Sequence, residues 1–316
     1  MSGPTTDIGG VRFLLHGETD GILLSENRPT SLASDIPEAS EIRTLLRVLI
    51  KRGARRVRLV GDDPALRQDL PDLVRMVAEI PGVIEVALTT GGRGLRGRLG
   101  LLSTGGLRTL NFDLDTLRRE RYARLIGHDG FDEVWSAVEE AIHLGITVRL
   151  NTVLQHGVNL DELDAFVDLT AKHPVEVRFL EWNTDIDRLA PPDQFVPTWE
   201  AMALVKPPLL PRDGDRHDGQ ALRFEILGHV GGIGFVANMT EHHCALCNRL
   251  GLTDYGEIQS CAFGRGLNLV RHLRSKGGVA SVETFVDRIW RRKVTLAAKL
   301  SGLDALPAPS LGAARA

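Results

Sequence analysis

From residue 11 to about 182 short β-rich runs alternate with longer amphipathic stretches, and no other feature constrains the fold of this chain as tightly. The predicted strands are Val11–Leu15, Arg56–Val60, Ile84–Thr89, Arg108–Leu114, Thr147–Val153 and Val175–Glu181. Between them, Ala39–Arg52, Leu70–Ile80, Asp132–Leu144 and Asp161–Lys172 carry apolar residues at three- and four-residue spacing, the period of one buried helix face. Repeated βα units joined by right-handed crossovers make a parallel sheet, and six of them suit either an open doubly wound sheet or an incomplete barrel. In both, functional groups gather at the carboxyl ends of the strands. Arg58, the Gly61–Pro64 turn, Thr89, Thr90, Asp113, Asp115, Asn151, Glu181 and Asn183 fall there.

Leu189–Asp218 is rich in Pro and Asp and reads as a connection or partly ordered loop. It divides the expected barrel, residues 1–188, from a C-terminal region, residues 189–316. That region shows two strand-like runs, Arg223–Leu227 and Ile233–Ala237, a cysteine segment, and helical patterns near Leu267–Ser275 and Val282–Lys299. With 316 residues, 43% of them apolar, the chain can bury a core without disulfide staples. A net charge of −3 gives no global pull toward nucleic acid or an acidic membrane, and 5% aromatics argue against a base-stacking surface. The opening segment lacks the basic and apolar regions of a leader and no apolar run reaches bilayer length, so the expected setting is cytoplasmic, with neither nucleic acid nor membrane as partner.

The chain has three cysteines: Cys244 and Cys247 form a C-x₂-C pair, and Cys261 follows after thirteen residues. The pair puts two thiolates on one loop, and a predicted hairpin over Leu252–Ser260, turning at Tyr255 and Gly256, brings the third back to them. Three thiolates suit either zinc, with His242 or His243 completing four ligands, or an iron–sulfur cluster with one iron left open, and the spacing alone also allows reduced cysteines that bind no metal.

The segment EHHCALCNRLGLTDYGEIQSCAFG resembles the C-terminal cluster segment of the molybdenum-cofactor GTP 3′,8-cyclases, a radical S-adenosylmethionine family. RVRLVGDDPALRQDL, ALTTGG, LNFDLDTL, YARLIGHDGFDEV, VRLNTVLQHGVN and VRFLEW resemble the family's other motifs in the same order, over about residues 11–275. The resemblance implies an α/β fold, a partial (βα)₆ TIM-type barrel with a small C-terminal cluster-binding extension, and one [4Fe–4S] cluster on Cys244, Cys247 and Cys261, zinc being the alternative. It also implies nucleotide contacts at Arg12, Arg58, Thr90, Arg149, Arg178 and Arg249.

Departures from the family pattern change the expected chemistry. Thr19, Leu23 and Glu26 stand where the family has C-x₃-C-x₂-C, and Gly61-Asp62-Asp63-Pro64 replaces Gly-Gly-Glu-Pro. The first set cannot bind a cluster, and the second sets carboxylates against the carboxylate end of S-adenosylmethionine. Asp113 and Asn183 replace a serine and a methionine, Gly251 an arginine, and the family's terminal Gly-Gly is missing. S-adenosylmethionine is therefore not expected. The first expectation is an iron–sulfur protein that binds GTP, another purine nucleotide or a similar polyanion and that, if it is an enzyme, is non-radical and of lyase or hydrolase type, with Asp113, Glu181 and His243 as candidate catalytic groups. A catalytically inactive paralogue that regulates a pathway or binds a partner, and a residual cyclase, are the rivals; a homodimer or protein partner stays open.

Overall fold

In a computed structural model the described residues are 8–15, 37–182, 192–212, 221–237, 240, 247–261 and 266–300, the last four without their side chains. They divide into two compact units. One draws on the chain up to Asp62, on Asp72–Val86 and on everything from Cys244; the other takes Asp63–Pro71 and Ala87–His243.

In the first unit, β1 (Gly10–Leu15) lies parallel to β2 (Arg56–Gly61) on one side and to β10 (Arg249–Thr253) on the other. The hairpin partner of β10 is β11 (Glu257–Gln259), and β12 (Leu267–Asn268) adds a further antiparallel edge. Helix α1 (Ala39–Lys51) connects β1 to β2, and α2 (Leu70–Ala78) follows β2. Its start is fixed by a capping box in which the Glu38 backbone N–H donates to Glu41 Oε2 at 2.9 Å. Leu45, Leu46 and Leu49 of α1 are fully buried, as are Val57 and Leu59 of β2. Each such side chain contributes roughly 1.5–3 kcal/mol relative to exposure. The residues that alternate with them, Arg12 and Arg58, point to the opposite face.

The second unit contains most of β3 (Glu85–Thr90), then β4 (Leu107–Asp113), β5 (Thr147–Val153) and β6 (Val175–Leu180), with helices α3 (Leu99–Thr104), α4 (Arg119–Ile126), α5 (Phe131–His143) and α6 (Leu163–Lys172) between them. The pairs β4–β5 and β5–β6 are parallel, and β9 (Gly232–Val236) extends the sheet in parallel beyond β6. Strands β8 (Leu222–Glu225) and β7 (Leu210–Pro211) finish that edge antiparallel. The repeated parallel βα units are those of a partial TIM-type barrel, an α/β fold.

The expected strands hold to within a residue or so. Helices α3 and α4 were not expected, and residues 192–212 of the expected Leu189–Asp218 connection are more ordered than its composition predicts. Within it, α7 (Thr198–Leu204) forms directly after Pro197, which supplies the extended residue before the helix, and Val196 and Ala201 are buried. The pattern near Leu267–Ser275 resolves into β12 and a short helix, α8 (Val270–Leu273), and α9 (Gly278–Leu300) starts earlier than Val282. Among the described residues no helix is long and apolar enough to cross a membrane.

Candidate functional site

Two lateral rows of polar side chains cross the sheet of the second unit on one face. Cα register places Asp113, Asn151, Arg178, Gly234 and Arg223 side by side on β4, β5, β6, β9 and β8. Two residues back along each parallel strand, a second row holds Asn111, Arg149, Glu176 and Gly232. Period-two alternation puts both rows on the same face.

Glu176 is the hub of these rows. Its Oε1 accepts from Arg178 Nε and lies 3.4 Å from Arg223 Nε, while its Oε2 lies 3.9 Å from Arg149 Nε. Burial of this carboxyl raises its pKa, but Arg178, then Arg223 and Arg149, outweigh burial and hold it below the usual carboxylate range. Gly234 supplies the space: a Cβ there would sit 3.3 Å from Arg178 Cγ and 3.7 Å from Glu176 Oε1. At the end of the second row, Asn111 donates from Nδ2 to the Leu88 carbonyl at 2.9 Å, and its buried Oδ1 has no hydrogen-bond donor among the described residues.

Of the expected site residues, Arg149 and Arg178 are brought together here, both nearly fully buried. Asp113 ends β4, exposed, with Asn151 Nδ2 donating to its Oδ1 at 2.8 Å. Glu181 lies just past β6 and is engaged in anchoring chain. It accepts from the backbone N–H of Thr198 at 2.8 Å and of Thr240 at 2.9 Å, and from both hydroxyls. Thr90 is buried, and its hydroxyl donates to Asp63 Oδ1 while accepting from Gly92 N–H at 2.9 Å. Asp63 itself has a positive φ of 44°, and burial raises its pKa against hydrogen bonds from Thr90, Ala65 and Gly91. Asp115 accepts from Val153 N–H, a structural role. A cavity of about 500 Å³ in this unit reaches Glu176, Arg223 and Arg212, but it opens at the amino ends of β5 and β6.

In the first unit Arg12 and Arg58 are paired in register across β1 and β2, and Gly251 sits beside Arg12 on β10. Arg249 starts β10 on that same face. The residues around Cys247 and Cys261 form the other candidate site. Pairing of Gly251 with Gln259 sets Cys261 at the open end of the β10–β11 hairpin, the end from which Cys247 leads into β10. Lys293 of α9 donates to Cys247 Sγ at 3.2 Å, to the Ser260 carbonyl at 2.7 Å and to the Arg249 carbonyl. Burial works to raise the Cys247 pKa, yet Lys293 and Arg249 bring it below the ordinary thiol value. Cys261 is an exposed free thiol. Soft sulfur donors in a cationic surrounding fit a thiophilic metal or an iron–sulfur cluster. Cys244, His242 and His243 lie outside the described residues, as do Thr19, Leu23, Glu26 and Asn183.

The Radical SAM superfamily model matches residues 27–170, and the Molybdenum Cofactor Synthesis C model matches residues 175–297. A GTP 3′,8-cyclase of Pelotomaculum thermopropionicum is 33% identical over 283 residues, covering 88% of this chain and 82% of that protein. The chain belongs to the GTP 3′,8-cyclase family. A second member, from Moorella thermoacetica, is 34% identical over 266 residues, covering 83% of this chain and 81% of its own length. Among solved structures, Streptococcus suis SuiB matches with a TM-score of 0.52 at 14% identity over 81% of this chain. The chain spans 61% of SuiB, and that likeness is one of fold.

The radical SAM match begins at residue 27, one position beyond Glu26. Glu176 and Arg223 escaped sequence reasoning. Glu176 shares strand parity with Arg178, a usable signal, whereas Arg223 becomes a neighbour only through the β6–β9–β8 register.

Proposed function

We propose that this GTP 3′,8-cyclase family member binds a purine nucleotide such as GTP, or a comparable polyanion, holds one [4Fe–4S] cluster, and does not initiate radical chemistry. The observation that carries the reading is the gathering of Arg149, Arg178 and Arg223 on the single carboxylate of Glu176. Guanidinium forks in a partly desolvated setting bind phosphate oxygens bidentately, and there such contacts gain strength over their value in water. Arg12, Arg58, Arg249 and Thr90 are proposed as nucleotide-contact residues on the family resemblance alone. The unmatched Asn111 Oδ1 suits a donor on the ligand.

Cys244, Cys247 and Cys261 are proposed as the cluster ligands, which ties the cofactor to the region beyond residue 189 and the nucleotide contacts mainly to the barrel before it. Such a cluster, when bound, supplies one iron open to a ligand oxygen or nitrogen, a Lewis-acid position that suits a lyase or hydrolase step. Glu181 is committed to four hydrogen bonds that anchor chain, so Asp113 is proposed as the group that moves the proton. The non-radical part rests on Thr19, Leu23 and Glu26, which offer no thiolate.

Three measurements test the reading. Anaerobically reconstituted protein is expected to carry about four irons per chain with broad visible absorbance; equimolar zinc without iron overturns the cluster. GTP is expected to release or absorb heat in calorimetry more strongly than guanosine; no heat with any purine nucleotide overturns the pocket. With reductant and S-adenosylmethionine, no 5′-deoxyadenosine is expected, and its formation overturns the non-radical assignment.

A further inference from the structure

We infer that Lys293 is a positioning residue for the cluster, holding the Cys247 sulfur and the two strands that present Cys247 and Cys261 in one fixed arrangement. The inference rests on the cluster reading proposed above and adds a residue that lies outside the cysteine motif. An ammonium has three N–H donors, and Lys293 directs all of them inward. One goes to Cys247 Sγ at 3.2 Å, one to the Arg249 carbonyl two residues beyond Cys247, and one to the Ser260 carbonyl immediately before Cys261.

A solvated surface lysine does not bind three chain groups at once. Ordering a lysine costs as much as 2 kcal/mol or so in rotamer freedom, so three simultaneous bonds must repay it. Lys293 is partly buried, and the ring of Trp290, itself only 4% exposed, lies 6.0 Å from its ammonium. Because α9 is far along the chain from both β10 and the Cys261 end of the hairpin, this one side chain locks the hairpin to the helix.

Two consequences follow for a cluster on these cysteines. A cationic N–H donor on a ligating sulfur stabilises negative charge there, and the reduced cluster carries one more electron than the oxidised one. Lys293 therefore raises the reduction potential. Clamping the carbonyls beside two ligand positions also pre-organises them, and loss of such an outer partner typically costs about 10–100-fold in metal affinity.

The test compares wild type, K293M and K293R after anaerobic reconstitution, reading iron per chain, iron retained against a chelator, and the midpoint potential followed by electron paramagnetic resonance. K293M keeps the length of the stem and removes charge and donors, so its potential is expected to fall and its retention to drop by about 10–100-fold. K293R keeps the charge and is expected to restore most of the potential. A purely structural lysine would leave the potential of the cluster-loaded fraction unmoved, and that result overturns the inference while the cluster reading stands. Wild type that takes up no iron defeats the cluster reading, and the role of Lys293 falls with it. Should K293M not fold, K293Q retains amide donors for the two carbonyls and carries the same expectation; an unchanged potential in K293Q is equally decisive against the role.

Discussion

Arg178 donates through Nε to Glu176 Oε1, two residues earlier on the same strand, so the two side chains lie on one face and close a pair within β6. Arg149 and Arg223 approach that carboxylate from the strands around it, which makes Glu176 the group on which three guanidiniums are oriented. The predicted consequence is mechanical as well as electrostatic. Glu176→Gln is expected to destabilise the protein by about 3 kcal/mol at neutral pH, because it strips the charge that offsets partly buried cations. The carboxyl pKa is lowered in the folded state, so its stabilisation is present above the ordinary carboxylate range and is lost as pH falls through the lowered value. Urea unfolding of both proteins across pH 3–7 would show a gap that narrows toward acid; a constant gap contradicts the assignment.

Nucleotide affinity should report the arginines individually. Arg178→Ala is expected to weaken GTP binding by about 10–100-fold, the scale of one or two charge-assisted hydrogen bonds. Arg249→Ala is expected to weaken it in the same direction. Both effects should shrink for guanosine, which lacks phosphates. Equal losses for GTP and guanosine in calorimetry would point to the base instead.

Cys261 is exposed at the end of a hairpin, and its side chain supports no described packing. Cys261→Ala is therefore expected to lose the metal while the barrel stays folded, with iron per chain falling and far-ultraviolet dichroism retained. Global unfolding of that variant would instead mark the centre as one on which folding depends.

The parts of this chain that were legible in its sequence are those fixed by local periodicity. Alternation in Val11–Leu15 and the three-to-four spacing in Ala39–Arg52 report burial directly, because side-chain direction follows from the backbone. Helix α4 was hidden by its composition: of RERYARLI only Tyr122 is buried, so no apolar stripe announces it. Helix α7 was hidden by surrounding prolines, although Pro197 marks its start. Arg149 and Arg178 are legible through motif likeness, whereas Arg223 and the carboxylate that holds all three are not. Arg223 meets Glu176 through Gly234, and Lys293 meets Cys247 from a distant helix, contacts that only the assembled sheet and helix create.

Asp63 gives a pH dependence of the opposite sign. Burial raises its pKa, so the folded state favours the protonated acid; that contribution is full below the ordinary aspartate range and is lost as pH rises through the raised value. Asp63→Asn removes the ionisation while keeping an acceptor for Thr90, and asparagine tolerates the positive φ of 44°. Thermal melts are expected to show wild type losing stability over that rise and the variant following a flatter course, with the variant the more stable at neutral pH. A steeper decline in the variant would show that the carboxylate is the preferred species.

Gly234 separates Arg178 from Arg223 in the lateral row, and the lack of a bulky side chain there leaves room for both to reach Glu176. A Cβ at that point would meet Arg178 Cγ at 3.3 Å and the Ala221 Cβ at 3.5 Å, a tight fit that a flexible arginine stem can absorb. Gly234→Ala should thus cost on the order of 1 kcal/mol or less, with overpacking partly offset by the lower entropy of the unfolded chain. Gly234→Val adds branches directed at the same stem and must displace Arg178 from Glu176, at about 1–3 kcal/mol. The valine variant is expected to lose most GTP affinity while the alanine variant keeps most of it, a contrast that urea unfolding and calorimetry on the same samples resolve. Were Gly234→Val to bind GTP as well as wild type, the ligand would not need Arg178 and Arg223 held on one carboxylate, and the anion site would have to be sought on other residues.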